Sequence, residues 1–341
     1  MKNIIRIMLS KLGYKIEKLG KIKKLKINNN LINHEYSVNV FQNSNLLSAH
    51  IEKFKKKLNQ DVDGYKLRSF SCPICKGETF TTIFKSSEEF KWGVCRQCGL
   101  TQNFYRLRDV DINSFYESGE YQAISMGGLD DKTHFNLEYK IMGQYFINMF
   151  EGMNISPSKV SIIEIGCGSG GILLALKEWG ASLVKGYDLD SHKVNYGRKF
   201  IDDLEVADAL EINTEIYRNY SHVLLSNILE HLTDPLGFLT KLSNQLNDEK
   251  IKVIIDVPNL ETCYAYGNRL NKFFHIGHIW YFNSITIERL LNKAGMKVEY
   301  IFPRKNAFMI ICSKSDKPIV NTNNAYWNSI TSMNYANYLN K

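Results

Sequence analysis

The sequence predicts an α/β protein: a mostly parallel sheet flanked by helices, with a small cysteine-rich module ahead of it. Three observations carry that reading. From residue 160 onward, short apolar runs alternate with helical stretches, the pattern of parallel strands joined by crossover helices. A glycine-rich turn, Gly166-Cys167-Gly168-Ser169-Gly170, joins the first of those runs to a helix. Two Cys-x-x-Cys pairs, Cys72/Cys75 and Cys95/Cys98, precede both.

The 341 residues suggest two domains at roughly 150 residues each. With 44% hydrophobic and 23% charged residues the composition is that of a globular protein, not a disordered or collagen-like one. No run approaches the ~18 unbroken apolar residues of a spanning helix. The net charge of +8 resembles a nucleic-acid signature until it is located. Residues 1–26 hold eight lysines and Arg6 against the single acid Glu17, so the rest of the chain is close to neutral. No nucleic-acid partner is therefore expected. In that segment Ile5, Met8, Leu9, Leu12, Ile16 and Leu19 recur at helical spacing, with Lys11, Lys15 and Lys18 on another face. Such a basic amphipathic helix suits a peripheral contact with an anionic membrane surface, or a stripe packed on its own protein. Arg6 and Lys11 interrupt the apolar stretch, so it does not read as a secretory signal, and a cytoplasmic location is expected.

The elements follow in order. Residues 28–60 read as a linker with a short helix near 46–58, and 131–151 as a helix entering the main domain. Strands are expected at 160–165, 183–188, 222–227, 251–257, 297–302 and 307–313. Helices are expected at 171–179, 191–201, 235–246 and 284–294. The domain division is 1–60 for the basic helix and linker and 61–120 for the cysteine module. The main domain takes 121–315, and 316–341 forms an Asn- and Tyr-rich tail.

Nineteen residues separate Cys75 from Cys95. Two such knuckles present four thiolates that close a tetrahedron around a structural Zn²⁺, the arrangement of a zinc ribbon. Gly77 and Gly99 follow the knuckles and permit tight turns. With all four positions filled by protein, the metal is structural and not catalytic. Lys85, Lys91, Arg96, Arg106 and Arg108 are balanced by Glu78, Glu88, Glu89 and Asp109, so the module lacks a dense basic flank. Cys167, Cys263 and Cys312 stand alone in sequence and read as core or loop residues.

The glycine turn alone is ambiguous. Gly166, Gly168 and Gly171 satisfy the dinucleotide pattern Gly-x-Gly-x-x-Gly, which keeps an NAD-dependent oxidoreductase open. Glu164 discriminates: a carboxylate two residues before the first glycine repels a pyrophosphate and suits a cationic ligand.

Taken together, EIGCGSG at 164–170, GYDLD at 186–190, Asp208 in EVADAL, HVLLSNILEHLTDP at 222–235, KVIIDVPN at 252–259 and ITIERLLNKAGMKVEYIF at 285–302 resemble the class I S-adenosylmethionine-dependent methyltransferases. The resemblance covers roughly 131–313. It implies a Rossmann-like sheet of about seven strands with the last antiparallel, and S-adenosyl-L-methionine as cofactor. It implies cofactor contacts from Glu164, Gly166, Cys167, Gly168, Gly170, Asp188, Leu189, Asp208, Ala209 and Asn227. Asp188 would hold the ribose hydroxyls and Asp208 the adenine amino group. The segment CPIC…CRQCGL followed by FYESGEYQ is similar to members with a zinc ribbon ahead of the catalytic domain, many of them in sugar and surface-polysaccharide pathways. A small-molecule acceptor of that class is implied. In the sugar C-methylating members a Glu-His-x-x-Tyr-Phe-Ser loop supplies the base region. This chain reads Gly277-His278-Ile279-Trp280-Tyr281-Phe282-Asn283, and the missing glutamate leaves O- or N-methylation open.

Methyl transfer to a hydroxyl needs a general base near neutral pH. His278, His231 and His275 all follow strands at the edge where α/β sheets bind ligands. The expected catalytic residues are His278, His231 and Tyr281, with Tyr116 and Tyr121 as further pocket residues. Some relatives bind a metal through Glu-x-x-Glu-His. Here the first position is Asn227, so no catalytic metal is expected. A non-catalytic scaffold docked through residues 1–26 is the remaining alternative.

Overall fold

The structure, a computed structural model, describes residues 71–85, 90–104, 129–209, 211–212, 214–246, 250–274, 277–304 and 307–315. The basic segment 1–26, the helix expected at 46–58, Tyr116, Tyr121, His275 and the tail from 316 lie outside the described residues.

Seven strands form the main sheet in the order β10-β11-β8-β7-β4-β5-β6. They are β4 (Ser161–Ile165), β5 (Leu183–Asp188), β6 (Leu204–Val206), β7 (His222–Ser226), β8 (Lys252–Pro258), β10 (Met296–Pro303) and β11 (Ala307–Lys314). β4 to β8 pair in parallel, while β11 runs antiparallel to both its neighbours, β8 and β10. The expected α/β fold with an antiparallel last strand is present. The strand expectations fall within two residues of the observed bounds. β6 was not anticipated, because three residues with two exposed carry no apolar run.

The helices start where the local chemistry lets them. α3 (Gly171–Trp179) begins at Gly170 in the left-handed region and ends at left-handed Gly180. α4 (Ser191–Gly197) is capped by Asp190, whose carboxylate accepts from His192 and Lys193 N–H groups. It stops at Gly197 rather than running to 201. α5 (Pro235–Gln245) has Pro at its first turn and Asp234 as cap. α6 (Leu270–Phe273) is a single turn, and α7 (Ser284–Lys293) starts with a capping box between Asn283 and Thr286. The helix expected at 131–151 is α1 (Asp131–Leu137) and α2 (Gly143–Gly152), joined by a π turn at Glu138–Met142. One apolar cluster gathers around Ile163, Leu225, Ile255 and Leu290, and a second around Phe146, Leu173, Leu224 and Ile311.

A second sheet, β1-β2-β3-β9, holds the cysteine module. β1 (Phe80–Lys85), β2 (Lys91–Cys95) and β3 (Thr101–Asn103) come from the module, but β9 (Trp280–Tyr281) comes from the loop after β8. Thr101 pairs with Tyr281 and Gln102 with Trp280. Arg289 of α7 donates to the Cys98 carbonyl (3.1 Å) and Lys293 to that of Ile74 (2.5 Å). The module thus shares a sheet with the loop that carries His278. No helix among the described residues is long and apolar enough to cross a membrane.

His222 opens β7 and is 7% exposed, its ring edge-on to Phe150 at 5.0 Å. Burial pushes its pKa from 6.5 down to about 4. The unfolded chain takes up this proton below pH 6.5 and the folded chain does not. Its stabilising share is therefore complete above pH 6.5 and lost as pH falls from 6.5 to 4, by up to about 3 kcal/mol. In urea titrations across that window, His222→Gln should show a shallower fall of stability with acid than the wild-type chain. An unchanged slope would assign the acid sensitivity elsewhere.

Candidate active site and cysteine cluster

The carboxyl ends of the parallel strands gather the candidate residues at one sheet edge. The turn after β4 holds Gly166, Gly168 and Gly170 at φ of 73°, 55° and 75°. A Cβ on Gly166 would stand 1.9 Å from the Ile228 side chain, so both the sign of φ and the space demand glycine. The turn is pinned by Asp188 at the end of β5. One Asp188 carboxylate oxygen accepts from Gly168 N–H (2.7 Å) and the other from Asp190 N–H (2.8 Å).

Three carboxyl groups converge here. Glu164 is 1% exposed, and its Oε2 has no hydrogen-bond partner. Burial, then the nearby Glu138 and Asp188, pushes its pKa well up. Asp188 is raised by burial against the pull of Lys193. Glu138, on the π turn, reaches the Gly171 N–H (3.4 Å), and burial raises it to about 7. Buried carboxyls that push one another's pKa upward form a site short of positive charge. The sulfonium and ammonium of S-adenosylmethionine supply that charge, so these residues fit the cofactor. Glu138 was missed by sequence reasoning, because an acid on the preceding helix has no fixed spacing to the glycine turn. Its π turn, a distortion frequent at functional sites, becomes visible only in the folded backbone.

The remaining expected cofactor residues are placed as follows. The Cys167 side chain is 4% exposed and packs toward Gly186, so only its backbone belongs to the turn. Burial pushes its thiol well up. Leu189 follows β5, and Asp208 and Ala209 follow β6, all half-buried at the same edge. Asn227 is exposed, in the left-handed region at the end of β7, with its N–H donated to the Asp256 carbonyl.

Beside them the loops after β7 and β8 meet. Ile279 and Trp280 N–H groups both donate to the Glu230 carbonyl (2.8 and 3.1 Å), and the Trp280 indole donates to the Leu232 carbonyl. This brings His278 against His231, with ring centroids 4.8 Å apart. His278 Nε2 lies 3.9 Å from a Glu230 carboxylate oxygen. Burial raises the Glu230 carboxyl to about 8 and lowers His231 to about 4. Tyr281, expected to be catalytic, lies against this cluster, its ring 5.5 Å from the His278 ring, but its hydroxyl is turned to another partner. It is fully buried among Phe273 and Phe274, and its hydroxyl donates to the Phe273 carbonyl (2.8 Å). A β9 residue must point one of two ways, and Tyr281 points into the aromatic core.

In the module, Cys72 and Cys98 sulfurs lie 3.2 Å apart and those of Cys75 and Cys95 3.5 Å apart. The four sulfurs all lie within 4.8 Å of one another. Hydrogen bonds from Cys72 and Cys98 pull the Cys95 thiol to about 2, while Cys72 and Cys98 are pushed up. Four sulfurs this close, three of them buried, are a donor set that fits a tetrahedral soft-ligand metal.

The family described as a methyltransferase domain matches residues 131–301. No curated protein matches the chain's sequence. Among solved structures, magnesium protoporphyrin IX methyltransferase from Synechocystis PCC 6803, with bound SAH, is similar at 12% identity and a TM-score of 0.46. That likeness covers 61% of this chain and 100% of the other. The N,N-8-amino-8-demethyl-D-riboflavin dimethyltransferase of Streptomyces davawensis is similar at 16% identity and a TM-score of 0.45, covering 59% of this chain and 61% of that one. The glycine turn and its buried carboxyls lie within the matched span, and the chain belongs to the class I S-adenosylmethionine-dependent methyltransferases.

Proposed function

We propose that this methyltransferase acts on a hydroxyl of a small sugar-like acceptor, a sugar or nucleotide sugar of a glycan pathway, and that its cysteine module holds a structural zinc. The observation that carries the acceptor class is the meeting of Glu230, His231 and His278 at the sheet edge that also holds the glycine turn. A hydroxyl must lose its proton as it is methylated, and this cluster brings two imidazoles to that edge to take it.

The cofactor, when bound, supplies a methyl group on a positively charged sulfur. Glu164 and Glu138 would offset that charge, and Asp188, which holds the turn, would also hold the ribose. The methyl carbon would pass to the acceptor oxygen, with sulfur keeping the electron pair of the bond that breaks. The hydroxyl proton passes to the histidine cluster, with His278 as its acceptor. His231 is held by the Gly277 carbonyl and orients the loop. The resemblance to zinc-ribbon members of sugar pathways supports the acceptor class, and the four-sulfur geometry supports the zinc.

The test is a panel of nucleotide sugars, free sugars and aromatic phenols incubated with S-adenosylmethionine and followed by release of S-adenosylhomocysteine. Turnover confined to one or more sugar compounds is expected. Turnover of the phenols alone would overturn the acceptor class while leaving methyl transfer intact.

A further inference from the structure

We propose that Glu230, His231 and His278 form a divalent-cation site, separate from the cysteine cluster, in which two adjacent oxygens of the acceptor complete the metal's coordination. The role given to the acceptor rests on the methyl-transfer reading above; the cation site itself does not.

Glu230 is fully buried, yet neither of its carboxylate oxygens has a hydrogen-bond partner. A buried carboxylate without partners is costly, and an ion is a standard resolution. Glu230, His231 and His278 each offer one donor atom, and the three lie within 4.8 Å of one another. The 3.9 Å between His278 Nε2 and Glu230 is too long for a hydrogen bond. It is within the span of two metal bonds of about 2.1 Å meeting at one ion.

His231 is already prepared as a ligand. Its Nδ1 lies 2.7 Å from the Gly277 carbonyl oxygen, which can only accept, so Nδ1 carries the hydrogen and Nε2 keeps its lone pair. Metal-bound histidines are oriented in this way by a carbonyl behind them. The Glu230 backbone clamps the loop that delivers His278, through Ile279 and Trp280. The donors are therefore held before any ion arrives.

Asn227 does not contribute a ligand, in keeping with its exposed side chain, and the third donor comes from another loop. That is why a reading of Asn-x-x-Glu-His by itself predicts no metal. Two imidazole nitrogens and one carboxylate oxygen suit borderline first-row divalent ions and leave coordination positions open. A vicinal diol or hydroxy acid would fill two of them. With the ion bound, His278 Nε2 is a ligand and no longer the proton acceptor described above; the bound hydroxyl instead releases its proton to solvent as its oxygen takes the methyl carbon.

The experiment uses the full chain with its cysteine cluster loaded with zinc. Mn²⁺ is titrated, and free Mn²⁺ is followed by its EPR signal, since Mn²⁺ competes poorly for thiolates. One Mn²⁺ per chain is expected, with Glu230→Gln and His278→Ala each weakening it at least ~10-fold. Both variants are checked for retained S-adenosylhomocysteine binding as proof of fold. A second readout needs no variant: Co²⁺ added to the zinc-loaded chain should give ligand-field absorption without thiolate charge transfer. No Mn²⁺ binding by the wild-type chain, or binding unchanged in both variants, overturns the site. Full-rate methylation of a sugar by a chain that binds no Mn²⁺ also overturns it, and leaves His278 as the direct proton acceptor. Mn²⁺ binding as expected, with no sugar methylated, keeps the site and removes the acceptor reading.

Discussion

Replacing Cys95 with serine is expected to abolish zinc retention and reduce methyl transfer more than 100-fold, while S-adenosylhomocysteine affinity stays within about threefold. The first part follows from size. β1, β2 and β3 are short, and a metal in a module of this kind contributes about 10–16 kcal/mol to folding. The second part follows from the shared sheet. β3 pairs with β9, which begins two residues after His278. When β3 is lost, β9 loses its ladder partner and the loop holding His278 against Glu230 loses one of its walls. The contacts from Arg289 and Lys293 to module carbonyls go as well. The glycine turn makes none of these contacts, so cofactor binding is spared. The measurements are metal content, calorimetric titration of S-adenosylhomocysteine and turnover on an identified acceptor. A zinc-free variant with full turnover would show that the module does not hold the loop.

Asp188→Ala is expected to weaken S-adenosylhomocysteine binding by about 30- to 100-fold, the ~2–3 kcal/mol of a lost charged hydrogen bond. Two losses combine. The carboxylate proposed to hold the ribose is gone, and the Gly168 N–H at 2.7 Å loses its acceptor, so the turn is no longer pinned. Asp188→Asn separates them, because its amide oxygen still accepts one N–H while the charge is gone. An intermediate affinity for Asn is expected by calorimetry. Wild-type affinity in the alanine variant would remove Asp188 from the cofactor site.

Much of the main domain was legible along the chain. β4, β7, β8 and β11 carry nearly continuous apolar runs, because central strands buried on both faces need them, while β5 and the edge strand β10 show shorter apolar stretches mixed with polar residues. α3 was bounded correctly by Gly170 and Gly180. β6 and the early end of α4 were not legible, since a short edge strand carries no burial pattern and Gly197 ends a helix only in context. The turn residues Glu164, Gly166, Gly168, Gly170 and Asp188 were readable because one strand–turn–helix unit and the next strand end deliver them. Glu138 was not, because it reaches the turn by packing and not by spacing. Tyr281 sits beside His278 in sequence and its ring stays 5.5 Å from the His278 ring, but the fold commits its hydroxyl to the Phe273 carbonyl.

By itself the sequence determined the α/β class, the four-cysteine cluster and the cationic character of the ligand at the glycine turn. Each of these rests on local pattern: period, spacing, and a carboxylate beside a turn. Only the tertiary structure decided that the cysteine module completes its sheet with β9, and that His278 joins Glu230 and His231. Those contacts link residues far apart in the chain, and they form because the loops after β7 and β8 leave the same edge of one parallel sheet. Chain order does not encode that proximity; the register of β7 against β8 does.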